Sequence, residues 1–480
     1  MPSKTTRVSA RMFRTPLRRD AMLPEFRAVR RNRAKVARLP VARKILRACE
    51  KMADDCTPIP DTTYTLFREY RTIGVRRNYD QVYHRKRAML GAAALLAIFK
   101  RRQRWIDVLQ DYIWNVCEET TWVPPEHMGT APIDLFAAET AFALAETTHL
   151  LSDALDPEVV DRIRDEVERR VLAPYLEMEW SWFDGHNNWS GVCNGAVGAA
   201  FLYLEKSPAR LARAVNKVLK GLEIFRRRAF LPDGGSSEGA GYWQYGLINT
   251  VAFSELLRRR TGGKVNFLSH EKFKRIALYP LAALVAPGEY YSCSDCHGTV
   301  RFSPGFISRL AERTGAEELK SLLSRDSISV GAGRLPWSVR NLLWWDGKTR
   351  PRPKIDDRVL PETGVARLVD PKHKMVLMAK AGNNAENHNH NDVGTFAVYI
   401  DAEPLLCDPG CGLYDRAYFG PQRYENPVCN SYGHSVPRID GHQQGCGPRY
   451  QGKIISFDPA GRDKTISIEF ARTYPVKRLK

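Results

Sequence analysis

The stretch WWDGKTRPRPKIDDR (Trp344–Arg358) decides the fold, because the character of the sequence changes across it. It is rich in proline, glycine and charge, as linkers between domains are. Helical periodicity precedes it and alternating, β-branched runs follow it. Helices first and strands afterwards predict two separate domains in an α+β chain. We expect a basic N-terminal segment, a helical domain, a linker and an antiparallel β domain, over residues 1–55, 56–345, 346–358 and 359–480.

The helical part carries apolar residues at three- and four-residue spacing from about Tyr79 to Leu323. Several segments begin with capping signals, such as Asp134 and Asp156. Successive helices joined by short turns predict helical hairpins stacked in layers. After the linker, runs such as TFAVYIDAEPLL, each interpreted as a strand, predict five or six antiparallel strands. We expect the natural sheet to continue beyond this chain end, which would make the β domain of this chain truncated.

The formal net charge is +19 over 480 residues, and roughly two thirds of the excess lies in the first fifty. A solvated helical face is the ordinary explanation for such a segment, and nucleic-acid binding is the alternative. The apolar run at 88–99 is too short to cross a bilayer and predicts a buried helix. No signal peptide is evident and the ten cysteines follow no regular framework, so we expect a cytoplasmic protein without a membrane span.

Three stretches hold more polar groups than packing requires. The first is WFDGHNNWSGVCNG, in which His186, Asn187, Asn188 and Asn194 lie beside Trp182 and Trp189. Asparagine is a poor residue for a helix interior. One interpretation is a helix start with Asn188 as its cap. The other is a set of amide donors directed at a substrate anion.

The second stretch is LPDGGSSEGAGYWQYG, a turn followed by a helix that Glu238 opens. Tyr242 and Tyr245 follow Glu238 at four and seven residues, so all three share one helical face. Aromatic residues at this spacing usually belong to a core or a stacking surface. A tyrosine that transfers protons is the functional alternative.

The third stretch is AENHNHNDVGTF (Ala385–Phe396). On a strand, His388, His390 and perhaps Asp392 would share one face, and His-x-His at a strand mouth is a frequent metal-ligand arrangement. Further candidate ligands follow downstream, namely Asp408, His434 and His442. A nearby CSDCHG (Cys293–Gly298) has the spacing of a haem attachment site, but without an export signal we interpret it as a turn.

Taken in order, these stretches resemble the heparinase II/III-like family of polysaccharide lyases, which includes alginate and oligoalginate lyases. The resemblance covers roughly residues 60–475 and rests on six pieces: PIDLFAAETAFALA, NNWSGVCNG, DGGSSEGAGYWQYG, RVLPETGVARL, HNHNDVGTFAVYIDAEPLLCDPG and GHSVPRIDG. It implies an incomplete α/α toroid followed by an antiparallel β-sandwich. The active site is then expected in the cleft between the two domains.

The resemblance also implies roles for individual residues. The catalytic residues are expected to be Asn188, with Asn187 as a close second, Tyr242, with Tyr245 as the alternative, and His388. A zinc ion, structural rather than catalytic, is expected on His390, Asp408 and His434. Residues expected to bind substrate are His186, Asn187, Asn194, Trp189, Glu238 and Tyr245. Trp182, Trp189 and Trp243 are further expected to offer stacking surfaces to sugar rings.

The implied reaction is β-elimination in an acidic polysaccharide or oligosaccharide that contains uronic acid, so the expected enzyme is a carbon–oxygen lyase. Asn188 would stabilise charge on the substrate carboxylate. Tyr242 would remove the C5 proton and return one to O4 if a nearby cation lowers its pKa, and His388 would assist it or act on the opposite epimer. The alternatives are a zinc-dependent hydrolase and a carbohydrate-binding protein without activity.

Overall fold

The structure is a computed structural model that describes residues 7–15, 22–54, 58–324, 334–476 and 479. The predicted basic segment, residues 1–55, therefore lies partly outside the described residues. Within them the helical part contains fifteen α-helices. These are α1 Phe26–Arg31, α2 Arg33–Ala37, α3 Pro40–Asp54, α4 Tyr64–Ile73, α5 Arg77–Lys100, α6 Gln103–Glu118, α7 Leu135–Leu150, α8 Pro157–Val167, α9 Ala173–Glu177, α10 Asn188–Leu204, α11 Pro208–Arg228, α12 Gly239–Arg260, α13 Lys272–Ala283, α14 Pro304–Thr314 and α15 Leu335–Trp344.

Helix α10 lies at the centre of the helical domain and packs against α7, α11 and α12. Its glycines make the approach to α12 possible. A Cβ added at Gly191 would lie 2.4 Å from the carbonyl oxygen of Gly246, and one at Gly195 would lie 2.5 Å from the carbonyl carbon of Asn249. Because the two helices run in close contact, the residues at the start of α10 lie beside those at the start of α12.

The apolar run at 88–99 is buried within α5, as the sequence predicted. No helix among the described residues is both long and apolar enough to cross a membrane.

Ten strands occur in the described residues: β1 Leu284–Ala286, β2 Glu289–Tyr290, β3 Arg358–Leu360, β4 Val365–Asp370, β5 Met375–Lys380, β6 Gly382–Asn384, β7 Phe396–Ile400, β8 Glu403–Leu406, β9 Gly447–Asp458 and β10 Thr465–Glu469. The first two form a hairpin within the helical part. The others form two antiparallel sheets, ordered β3-β4-β5-β7-β8 and β10-β9-β6. The predicted order, helices and then antiparallel strands, is confirmed.

The described β domain has eight strands where five or six were predicted, because one predicted strand is two and the short strands β3 and β6 were not predicted. TFAVYIDAEPLL folds as the hairpin of β7 and β8. Its turn contains Asp401 and Ala402, which have φ angles of 51° and 71°. Two consecutive residues at positive φ match the right-handed twist of the flanking strands, although neither residue is the usual glycine or asparagine.

A small apolar cluster joins the first sheet to the chain just after β2. It contains Tyr291 and Cys293 together with residues of β4, β5 and β7 such as Val365, Val376 and Met378. Burial of these side chains fixes the turn at 293–298 against the face of the sheet. The turn therefore has a fixed position between the helical domain and the β domain.

Candidate active site

A cleft of about 680 Å³ lies where the helical domain meets loops of the β domain. The helical side contributes residues from the starts of α10 and α12, and the β side contributes residues between β6 and β7 and after β8. Asn387 joins the two sides by donating a hydrogen bond of 2.9 Å to the carbonyl oxygen of His186. The lining residues include Arg76, Glu126, Asn187, Asn188, Trp189, Tyr242, Tyr245, His388, Asn389, Tyr414 and Arg423.

Asn188 is the first residue of α10 and lines the cleft, although it is buried. The helix cap is Asn187, whose side-chain oxygen accepts a bond from the Trp189 amide, so the interpretation of Asn188 as the cap is wrong. Glu238 accepts bonds of 2.9 Å from both the backbone amide and the side-chain amide of Asn188. The side-chain amide has two N–H donors, so one stays available to a ligand.

Glu238 holds Asn188 in place rather than facing the cleft. It is buried, and burial raises the pKa of its carboxyl group against the opposing influence of His388 and Asn188. The close approach at this point depends on Gly239, which has a φ of +82°. A Cβ there would lie 2.4 Å from the sulfur of Cys296, so only glycine lets α12 start against the turn at 293–298.

Tyr242 presents its hydroxyl group and one ring face to the cleft region. Its hydroxyl lies 2.7 Å from that of Tyr414, and its ring stacks on the imidazole of His388 with centroids 4.2 Å apart. Burial raises the pKa of Tyr242, and the nearby acidic groups Asp295 and Glu238 raise it further. The cation that the sequence analysis required to lower this pKa is not among these influences, so Tyr242 is a neutral phenol.

His388 lies in a loop rather than on the predicted strand, since β7 begins only at Phe396. Its φ is +56°, a left-handed conformation that histidine adopts more readily than most residues. Nδ1 of His388 lies 2.8 Å from a carboxylate oxygen of Asp295, and Nε2 lies 3.8 Å from Glu238. A carboxylate at Nδ1 favours the tautomer with the proton on Nδ1, which leaves the Nε2 lone pair available.

Asp295 is the centre of the site, and sequence reasoning missed it. One oxygen contacts His388, and the other contacts His390 at 2.9 Å and the hydroxyl of Tyr418. Arg423 lies 3.0 Å from both oxygens. Burial opposes ionisation, but hydrogen bonds from the two histidines and the charge of Arg423 hold the pKa of Asp295 well below its usual range. The residue sits inside CSDCHG, which has the spacing of a haem attachment site and was interpreted as a turn because no export signal is evident.

A second polar group lies behind the cleft. Ligand atoms of His390, Asp408 and His434 all lie within 4.8 Å of one another, as the sequence predicted for a metal site. Nδ1 of His390 and Nε2 of His434 are buried without a hydrogen-bond partner, which is the state expected of nitrogens that hold an ion. The residues therefore fit a metal ion. Hydrogen bonding to Asp408 raises the pKa of His434 although burial lowers it.

The two remaining ligand candidates of the sequence analysis lie elsewhere. Asp392 is fully buried and forms a 2.5 Å ion pair with Lys380. His442 is exposed. Neither belongs to the group that could hold a metal ion.

Several residues predicted to bind substrate do not line the cleft. Asn194 is buried inside the helical domain, where it accepts a bond from Tyr175 and donates one to the Ser190 carbonyl, so its assignment is wrong. His186 is exposed at the rim and contributes its carbonyl oxygen only, while Glu238 contacts Asn188.

The aromatic residues also divide between core and cleft. Trp182 and Trp243 are core residues whose indole nitrogens donate to backbone carbonyls. Trp189, Asn187 and Tyr245 do line the cleft. Tyr245 also contacts Glu139 through its hydroxyl group.

Residues that sequence reasoning did not single out complete the cleft. Tyr414 and Arg423 come from the irregular chain after β8, and Arg76 and Glu126 come from the helical domain, where they form a 2.5 Å ion pair. Loop positions carry no periodic signal, so only their side-chain chemistry could have suggested them. The alternative function, a zinc-dependent hydrolase, would require an α/β sandwich. The observed order, helices followed by antiparallel strands, contradicts that fold.

Comparisons with known proteins agree with this architecture. The family described as heparinase II/III-like, C-terminal, matches residues 352–453. Among curated proteins, no sequence matches the chain. The crystal structure of heparinase III superimposes with a TM-score of 0.55 at 15% identity, covering 81% of this chain and 58% of that protein. Heparan sulfate lyase HepC from Pedobacter heparinus gives 0.56 at 14% identity, with 98% and 75% covered.

At these identities the solved structures are similar in fold, and this chain spans less than two thirds of the length of that heparinase III. The family match lies on the β domain that carries His388, His390, Asp408 and His434. The resemblance found in the sequence is confirmed: residues 352–453 match the heparinase II/III-like C-terminal family, and the chain is similar in fold to heparinase III, with helices followed by antiparallel sheets.

Proposed function

We propose that this protein is a polysaccharide lyase that cleaves a polymer or oligomer containing uronic acid by β-elimination. One observation carries the proposal: Asn188 and Tyr242 from two helices and His388 from the β domain meet at a single cleft. The solved proteins of similar fold, named heparinase III and heparan sulfate lyase, support an acidic polysaccharide as the substrate class.

The base in this proposal is Nε2 of His388. The C5 proton of a uronate is weakly acidic because it lies next to the carboxylate group. With Asp295 held at Nδ1, Nε2 has a free lone pair, and the side chain of His388 lines the cleft. Asp295 also stabilises the imidazolium ion that forms when Nε2 takes the proton.

The acid is Tyr242. Cleavage breaks the bond between C4 and O4, forms the C4–C5 double bond, and leaves O4 in need of a proton. A phenol whose pKa is raised by burial keeps its proton until a strong base such as the leaving oxygen develops beside it. Tyr414 lies 2.7 Å from the Tyr242 hydroxyl and 3.4 Å from Nδ1 of His388, so its hydroxyl positions the phenol beside the imidazole. After the product leaves, Nε2 of His388 gives up its proton to solvent and Tyr242 takes one from solvent, which restores both groups.

Asn188 stabilises the charge that grows on the substrate carboxylate when C5 loses its proton. Glu238 fixes the orientation of the amide before substrate binds, so little reorganisation is needed during the reaction. One N–H of the amide then donates to the carboxylate. Trp189 lines the same cleft and offers an apolar face to a sugar ring.

We further propose that the buried group of His390, Asp408 and His434 holds a zinc ion with a structural role. Two imidazoles and one carboxylate are a common zinc ligand set, and none of the three residues lines the cleft. When bound, the ion would hold together the loops that carry these three residues. Asp295 bonds His390 as well as His388, so the same loops position the proposed base.

The test is a panel of acidic polysaccharides, including heparan sulfate and alginate, followed by ultraviolet absorbance of unsaturated uronate. We expect absorbance to rise with the natural protein on at least one polymer and not with His388→Ala. New reducing ends without absorbance would identify a hydrolase instead. Binding without any cleavage would identify a carbohydrate-binding protein, and either result would overturn the proposed reaction.

A further inference from the structure

The three N-terminal helices present a strongly basic surface away from the cleft. Eight lysine and arginine side chains between residues 27 and 51 are exposed, and we call them the basic surface: Arg27, Arg31, Lys35, Arg38, Arg43, Lys44, Arg47 and Lys51. None of them lines the cleft. A solvated helical face, the ordinary explanation, predicts cations interspersed with acids, so the carboxylates of these helices decide between the explanations.

Among the side chains that the structure describes between residues 22 and 53, the carboxylates are those of Glu25 and Glu50, and both turn toward the body of the protein. Glu25 forms an ion pair of 2.8 Å with Arg309 on α14, and Glu50 pairs with Lys100 at the end of α5. Among the described residues, no carboxylate lies within ion-pair distance of the eight cations. The positive charge of the surface is therefore not neutralised by the described parts of the protein itself.

The basic surface is held rigidly in place. On α3, Ile45, Leu46 and Cys49 are buried, and the helix packs against α5. Arg43, Arg47 and Lys51 follow one another at four-residue intervals on the opposite side, about 6 Å apart along the axis. A row of cations on a rigid helix matches a linear polyanion, and the backbone that carries them needs no ordering when the partner binds.

The apolar content of the surface distinguishes among polyanions. Of the large apolar residues with described side chains between 26 and 53, Leu39 alone is exposed, and it lies between α2 and α3. Single-stranded nucleic acid is bound by stacking its bases on aromatic side chains, and amphipathic helices enter a membrane with an apolar face. Neither feature is present on the described residues here. A polysaccharide that carries its charge on sulfate or carboxylate groups requires only the cations.

We propose that the basic surface is a second binding site for an acidic polysaccharide, which keeps a long chain attached while another part of it occupies the cleft. The identity of the partner rests on the proposed function. A polymer bound at one site reaches the second site at a high effective concentration, so the surface acts on long chains and not on short ones.

The test compares two charge-matched variants. One combines Arg43→Gln, Lys44→Gln, Arg47→Gln and Lys51→Gln, at exposed helix positions that glutamine tolerates. The control combines Lys206→Gln, Lys264→Gln, Lys274→Gln and Lys372→Gln, which are exposed lysines outside these helices. Binding of long heparan sulfate and alginate chains is measured by titration at several salt concentrations, and cleavage of a tetrasaccharide is measured in parallel.

We expect the α3 variant to bind the long chain at least tenfold more weakly, with a shallower dependence on salt, and the control to change less than twofold. Cleavage of the tetrasaccharide should stay the same in both. Equal weakening in the two variants would overturn the proposal, as would tighter binding of random DNA or anionic lipid vesicles through the same four residues. If the surface binds polymer but no polymer is ever cleaved, the proposed function fails and the binding site stands.

Discussion

The cleft and the buried metal-ligand group use histidines that are two residues apart and share one carboxylate, yet their environments are opposite. The side chain of His388 is 17% exposed, stacks on Tyr242 and lines the cleft. That of His390 is 0% exposed and lies beside Asp408 and His434. Asp295 contacts both rings.

The comparison shows that the burial of a histidine and the side chains around it, rather than residue type or spacing, distinguish a proton-transfer site from a metal site. A ring that reaches solvent can take a proton from a substrate. A ring with a buried, unpartnered nitrogen is suited to hold an ion. The following predictions test this division, beginning with the largest effect.

Tyr242→Phe is expected to lower turnover by about 10²–10⁴-fold, the usual range for a group that transfers a proton. The ring and its stacking on His388 are kept, so folding should be unchanged. Steady-state kinetics on the cleaved polymer measure the effect, and Tyr245→Phe is the control. If the control loses activity and Tyr242→Phe does not, the acid is Tyr245. Full activity in both would show that no tyrosine in this helix acts as the acid.

Asn188→Ala is expected to lower kcat by about 10²–10³-fold, because one charge-stabilising donor is removed. KM should change much less, since the interaction grows only as the substrate loses its proton. The variant removes the side-chain hydrogen bond to buried Glu238 and keeps the one from the backbone amide, so circular dichroism must first establish that the protein is folded. A rise in KM alone would assign Asn188 to binding and not to the reaction.

Asp295→Asn is expected to reduce the free energy of unfolding by about 3 kcal/mol, because it leaves the largely buried Arg423 without its charged partner. Urea denaturation followed by fluorescence measures this value. Asp370→Asn is the matched control, since the Asp370–His373 pair is exposed and its loss should change stability far less. Equal effects would mean that Asp295 does not hold the two histidines together.

His390→Ala should lose bound zinc, whereas His388→Ala should keep it and lose activity. Metal content of the two purified variants, measured by mass spectrometry, separates the roles of the two histidines. A chelator should lower the melting temperature of the natural protein and of His388→Ala, but not that of His390→Ala, because an ion stabilises only the state that binds it. Full zinc in His390→Ala would remove this residue from the site.

Glu238→Gln tests the smallest effect, a dependence of stability on pH. Burial raises the pKa of Glu238 in the folded protein, so folding favours its protonated form. This contribution is fully present below the ordinary pKa of about 4.3 and is lost as pH rises through the raised value. The natural protein should therefore lose stability relative to Glu238→Gln as pH rises above about 4. If the natural protein instead became more stable relative to Glu238→Gln as pH rises, the raised pKa of Glu238 would be contradicted.

Local patterns in the sequence were sufficient to predict the order of elements, whereas the metal-ligand group was predicted from the family resemblance. Helical periodicity, helix caps such as Asp134 and the linker at 346–358 are signals carried by neighbouring residues. They can therefore be recognised without knowledge of the fold. His390, Asp408 and His434 were carried over from the family resemblance, and the structure brings them together. The hairpin at Asp401–Ala402 escaped prediction because its turn lacks the usual glycine or asparagine.

The sequence by itself determined that helices precede strands, that α5 is buried and which residue types carry the chemistry. Only the tertiary structure decided that Asp295 joins His388 to His390 across more than ninety residues of chain, and that Asn194 belongs to the core. Periodicity records which face of an element is apolar. It does not predict which loops contact each other, because those contacts form only when separate elements pack together and bury their apolar faces.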